Sequence, residues 1–164
     1  MKNLKIILFV ALTTCLTFSC GDDDSDSDSG LSSEGGPFEI SELTGNWEAT
    51  SAFFWRDSDG LNIDIVADGG SVSLTVQSNG SCTFTIDPFD RDAYMVSGEM
   101  LWGSYEGDEA LVVVWDDSSR SSFRWIELND TTFDLGCTSV CGDYDFNNDG
   151  TSEASDLSFS FARN

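Results

Sequence analysis

LTGNWEATSAFFWR, Leu43–Arg56, alternates its apolar and polar side chains with the period of two that marks a strand buried on one face. Placing Trp47 inside sends Ala49, Ser51, Phe53 and Trp55 to the same side and leaves Glu48 and Arg56 in water, where charges belong. The same period continues along the chain, and turn signals recur at short intervals. Strands are expected near 46–56, 61–66, 71–77, 82–87, 94–102, 109–116, 121–128, 131–135 and 156–163, with SNG at 78–80, EGD at 106–108 and ND at 129–130 as hairpin turns. Helical periodicity is confined to a single turn around Ile40–Leu43. The pattern therefore predicts an all-β domain: a single up-and-down antiparallel meander barrel of about eight or nine strands, whose closure removes the exposed edges that invite aggregation. A two-sheet β-sandwich is the alternative, and its crossing connections would need longer loops than most of these links offer.

Parity extends the inward set. Leu157, Phe159, Phe161 and Arg163 share one face of the last strand, opposite Ser158, Ser160 and Ala162. The interior is expected to include Val72, Leu74 and Val76; Cys82, Phe84 and Ile86; Tyr94, Val96, Met100 and Trp102; Phe123 and Trp125; and Phe133. The run ALVVVW, 110–115, is apolar on both faces, so parity does not orient it. An eight-stranded barrel is either packed solid with side chains or holds one small ligand. Both states remain open, with Phe53, Trp55, Phe84, Tyr94, Met100, Trp102, Trp125 and Phe159 as the candidate lining. Trp55 and Tyr94, near the open end, favour a narrow or closed cup.

The start of the chain gives an address. MKNLK is basic, Ile6–Phe18 is an apolar run of 13 residues too short to span a bilayer, and Ser19 precedes Cys20. The stretch Leu16-Thr17-Phe18-Ser19-Cys20 resembles a bacterial lipobox, which implies cleavage after residue 19 and lipidation of Cys20 by acyl chains such as palmitate. CGDDDSDSDSG resembles the acidic export tag of surface lipoproteins in Bacteroidetes-type bacteria, which implies an outer-membrane, cell-surface location with the membrane as a partner. A secretory signal followed by an acidic linker is the alternative. The expected organisation is a signal peptide at 1–19, a lipidated acidic tether at 20–37 and a barrel domain at 38–164. The tether is too polar to offset the entropy of ordering it.

Leu43-Thr44-Gly45-Asn46-Trp47, at the head of the first strand, is similar to the opening Gly-x-Trp motif of lipocalins. The stretch from about 41 to 164 resembles the lipocalin-like domains of Bacteroidetes lipoproteins. That resemblance implies a barrel floor made by Gly45, Trp47 and an arginine from the last strand packed across the indole, the place Arg163 occupies by parity. It also implies a binding module for a small apolar molecule. The alternative is a structural or accessory lipoprotein with a filled barrel. The expected state is a monomer.

DFNNDGTSEASD, Asp145–Asp156, offers calcium-type oxygens from Asp145, Asn147, Asp149, Thr151, Glu153 and Asp156 around Gly150. Its flanks are strand-like, its eighth place is Ser152 and its twelfth is Asp in place of Glu, so it departs from an EF-hand. An acidic hairpin turn is the competing reading. Cys137 and Cys141 are expected to bridge locally in a loop and Cys82 to stay buried and free, while pairing of Cys82 with either loop cysteine remains open.

Composition narrows the function. The chain carries 7 Lys plus Arg against 30 Asp plus Glu, a formal net charge of −23. Both lysines fall in the signal segment, so the mature chain would hold 5 arginines and a net charge of −25. Such a surface repels phosphate backbones, and no nucleic-acid role is expected. With no histidine, no Gly-x-Ser-x-Gly elbow, no phosphate-cradling loop and no HExxH helix, the expectation is a protein that is not an enzyme.

Overall fold

All strand pairings are antiparallel in the computed structural model, which describes residues 30–164. The expected signal segment, Cys20 and the acidic run that follows it lie outside the described residues. The strands are β1 (Gly45–Arg56), β2 (Leu61–Asp64), β3 (Ser71–Val76), β4 (Ser81–Asp87), β5 (Tyr94–Tyr105), β6 (Asp108–Trp115), β7 (Arg120–Phe123), β8 (Trp125–Leu128), β9 (Thr132–Tyr144) and β10 (Glu153–Arg163), after one 3-10 turn at Ile40–Leu43. Their order in the sheet is β7-β6-β5-β4-β3-β1-β10-β9-β8, with β2 on β1.

Two of the staves are broken. β2 pairs with the second half of β1 and β3 with its first residues, on one edge. β7 pairs with β6, and β8, beyond a break at Arg124, pairs with β9. Counting each broken pair once gives eight staves in chain order, the up-and-down meander, and leaves no place for the crossing connections of a sandwich. The sheet curls until its ends meet: the Arg124 N–H donates to the Gly136 carbonyl at 3.1 Å, and the Ser121 hydroxyl donates to the Cys141 carbonyl. The result is a nearly closed barrel consistent with lipocalin-like architecture.

Bulges set which side chains enter it. Along β1 and β10, Trp47 faces Arg163 and Ala49 faces Phe161, but the next pair is Ser51 with Ser160, so Thr50 is an extra residue. One inserted residue flips the parity of everything after it. Ala52 and Phe54 are buried as a result, and Phe53 and Trp55, expected inside, lie outside with their rings 5.8 Å apart. The break at Arg124 does the same to Trp125. Expected inside beside Phe123, it is instead 58% exposed, packed over Gly136.

β9 runs to Tyr144, far beyond the expected end at 135. Cys137 and Cys141 therefore lie within a strand and not in a loop. Between them β9 carries three extra residues, since Cys137 faces Leu157 while Gly142 already faces Ser155. The Cys137–Cys141 disulfide spans the base of this excursion, with Cα atoms 6.2 Å apart.

The expected boundary at 37/38 also moves. Ser32 exchanges two backbone hydrogen bonds with Trp102, at 2.9 and 2.6 Å. Gly36 lies so close to the Trp102 indole that a Cβ there would come within 2.0 Å of the ring. Leu31 and Val112 meet over Gly103, and Val112 is buried though it faces outward on β6. Apolar character on both faces of 110–115 thus has a cause: the chain just before the barrel covers the outer one. Residues 31–37 belong to the folded domain.

Candidate functional site

The two ends of the barrel differ. At the closed end Trp47 is fully buried, and its indole N–H donates to the Leu43 carbonyl at 2.8 Å. The Arg163 guanidinium lies 4.2 Å from the indole centroid and donates to the Thr44 and Glu42 carbonyls at 3.0 and 2.8 Å. Gly45, at the foot of β1, is close enough to the Arg163 side chain that an added Cβ would lie 3.6 Å from it. Phe133 and Phe38 extend the floor, Phe38 meeting Trp102 edge to face at 5.0 Å. Met100 and Trp102, expected as ligand lining, are buried in this filled half, and the Trp102 indole N–H donates to the Phe38 carbonyl at 3.0 Å.

The other end is open. A cup of about 550 Å³ has Phe54, Phe84 and Phe159 toward its bottom, Trp115 and Phe123 in its wall and Tyr94 at its mouth. Phe84 lies 5.7 Å from Trp115 and 5.9 Å from Phe159. The buried Ser121 holds the seam of the wall, since its hydroxyl takes the Trp115 indole N–H at 2.9 Å while donating to Cys141. Of the eight lining residues expected, the fold brings Phe84, Tyr94 and Phe159 to this cup. It sends Met100 and Trp102 to the floor, and Phe53, Trp55 and Trp125 to the outer surface. The narrowing expected from Trp55 does not occur, because the bulge takes that ring out of the barrel. Tyr94 keeps 37% of its surface exposed, yet burial pushes its hydroxyl up to about 12; on either measure the phenol stays protonated at neutral pH.

Sequence reasoning missed Phe54, which the bulge conceals. Trp115 was unassigned because both faces of its strand are apolar. The rim residues Asp116, Asp117 and Asp143 carried no local signal in so acidic a chain.

Beside the mouth, Arg91 joins two connections. Its side chain is only 14% exposed, lies over the Tyr144 ring at 5.2 Å, and pairs with Asp90 at 3.0 Å and with the Asp145 carboxylate at 3.7 Å. The hydrogen bond it donates to Asp90 raises its already high pKa against the opposing effect of burial.

The Asp145–Asp156 stretch is a hydrogen-bonded turn. Asp145 accepts the Asp149 and Gly150 N–H groups at 3.2 and 2.8 Å, and Asn147 accepts Asp149 N–H at 3.0 Å. Asp149 takes the Thr151 N–H at 2.8 Å, and Glu153 takes Phe146 N–H at 3.2 Å. Asp156 stands in β10 opposite Trp55. Among the described residues no three His, Cys, Asp or Glu side chains gather closely enough to hold a metal ion. In this arrangement the oxygens of Asp145, Asn147, Asp149 and Glu153 serve backbone donors, as in an acidic turn.

Cys82 is buried with a free thiol, pushed up to about 12 chiefly by burial. It packs as an apolar side chain and is no nucleophile.

No protein-family model, no curated protein and no solved structure matches the chain. The class defined by the fold is an antiparallel meander barrel, filled at one end and open as an aromatic cup at the other.

Proposed function

We propose that the protein is a lipocalin-like binding module, tethered to the bacterial outer membrane through a lipid on Cys20, that takes a small apolar molecule into its cup. The observation carrying this reading is the cup itself. About 550 Å³ lined by Phe54, Phe84 and Phe159 falls within the range of about 300–1,000 Å³ typical of small-molecule sites. A barrel packed solid throughout would favour the accessory-lipoprotein alternative, and only the closed half is packed that way.

The polarity of the barrel supports the tethered reading. The chain enters at the closed end, where Ser32 pairs with Trp102 and Phe38 packs on the floor. A lipid on Cys20 would therefore hold the filled end toward the membrane and leave the mouth facing outward.

Titration with a neutral apolar fluorophore, N-phenylnaphthylamine, tests the binding role. Saturable binding of one molecule per chain is expected, lost when Val96→Trp obstructs the mouth. Absence of binding favours the accessory role. Membrane fractionation of Cys20→Ser tests the anchor: release from the membrane is expected, and retention would refute lipidation.

A further inference from the structure

The rim of the cup is unbalanced in charge. Among its lining residues Asp116, Asp117 and Asp143 stand against Arg120. Asp117 is fixed as a carboxylate by its neighbour Ser119, whose N–H donates to it at 2.8 Å and whose hydroxyl also donates. Beneath the rim the walls are mainly apolar, with Ser97 and Ser121 among them, and the chain as a whole carries a formal charge of −23. A mouth in such a field concentrates cations and repels anions, so a fatty-acid-like carboxylate approaches against the potential. Tyr94 at the mouth and Trp115 in the wall are rings of the kind that hold ammonium groups.

We propose that the cup takes an amphipathic amine, with its apolar body against Phe84 and Phe159 and its ammonium head among the rim aspartates. This rests on the reading that the cup binds a small apolar molecule, and adds the sign of the ligand's charge. The rim carboxylates are solvent-exposed, so each ion pair contributes little by itself. Their effect lies in selection between charges and in association rate, both reduced by salt.

Three probes sharing one tail, decyltrimethylammonium, decanoate and decanol, are titrated calorimetrically into the full chain, with stoichiometry from native mass spectrometry. The ammonium probe is expected to bind one per chain, at least about tenfold tighter than decanoate at low salt. Its advantage should shrink severalfold at high salt and in the triple variant Asp116→Asn/Asp117→Asn/Asp143→Asn. Val96→Trp should abolish it. Decanol binding with no advantage for the ammonium probe would overturn the amine assignment and leave the apolar cup standing. An undiminished advantage in the triple variant would overturn it too, as would ammonium binding that survives Val96→Trp, which marks adsorption to the outer surface. Failure of all three probes would sink both readings.

Discussion

The Asp64 carboxylate accepts the backbone N–H of Ala52 at 3.1 Å, and this contact pins the bulge that turns Phe54 into the barrel. The same carboxylate takes the Ser51 hydroxyl at 2.8 Å and the Val66 and Ala67 N–H groups at 3.0 and 3.3 Å. Burial pushes its pKa up, but the bonds from Ala52, Ser51, Ala67 and Val66 outweigh that and leave it below the ordinary carboxylate value.

Asp64→Ala strands the N–H of Ala52, a residue with no exposed surface. A loss of about 1–3 kcal/mol is expected in urea unfolding. The pH dependence follows from the depressed pKa: the stabilisation is present above the unfolded value, about 3.9, and disappears as pH falls through the folded one. Asp64→Asn should therefore lose less stability than the wild type on acidification below about pH 4, and parallel curves would refute this role.

Phe54 and Phe53 are adjacent but lie on opposite faces. Phe54→Ala removes a ring that is 2% exposed and should cost about 3–5 kcal/mol. Phe53→Ala, on the outer face, should cost about 1 kcal/mol or less. Equal losses in chemical denaturation would mean the bulge is misplaced.

Arg163 reaches two carbonyls and an indole face together, a geometry that needs the planar fork of a guanidinium. Arg163→Lys should therefore fall close to Arg163→Ala, each losing about 1–2 kcal/mol. Trp47→Ala should lose about 3–5 kcal/mol, with Trp47→Phe intermediate because it keeps an aromatic ring and loses the bond to Leu43. Thermal melts of the four variants check this order.

Cys82 should resist alkylation in the native protein at neutral pH, since its thiol is buried and its pKa is pushed up to about 12. Labelling should follow the unfolding rate, and the label should vanish in Cys82→Ser. Rapid labelling of the folded chain at this residue would contradict the packing.

Asp145→Ala removes the acceptor for Gly150 N–H and the acid beside Arg91. Its melting temperature should drop by the same amount in calcium as in a chelator, because the loop oxygens serve backbone N–H groups. A drop confined to calcium-containing buffer would mark the loop as a metal site.

Much of the barrel was legible because period-two alternation is a local property. Leu157, Phe159 and Phe161 alternate cleanly and all three are buried. The same parity carried Arg163 onto the Trp47 side at the strand's end, with no other contact information needed. The cup was far less legible. Phe53, Trp55 and Trp125 share the alternation of true lining residues, and only an irregularity a few positions away turns them outward.

What the sequence determined by itself is the period, the turns and the chain-order pairing, hence the all-β meander, together with the acid excess that sets the sign of its field. What only the tertiary structure decided is phase and closure. Whether Thr50 is accommodated as a bulge depends on the pairing of β1 with β10 and on the bonds Asp64 makes to Ser51 and Ala52. Whether β7 reaches β9 depends on contacts between Ser121 and Cys141 and between Arg124 and Gly136. Such contacts join residues distant along the chain, so no local pattern encodes them, and a single inserted residue is enough to exchange inside for outside.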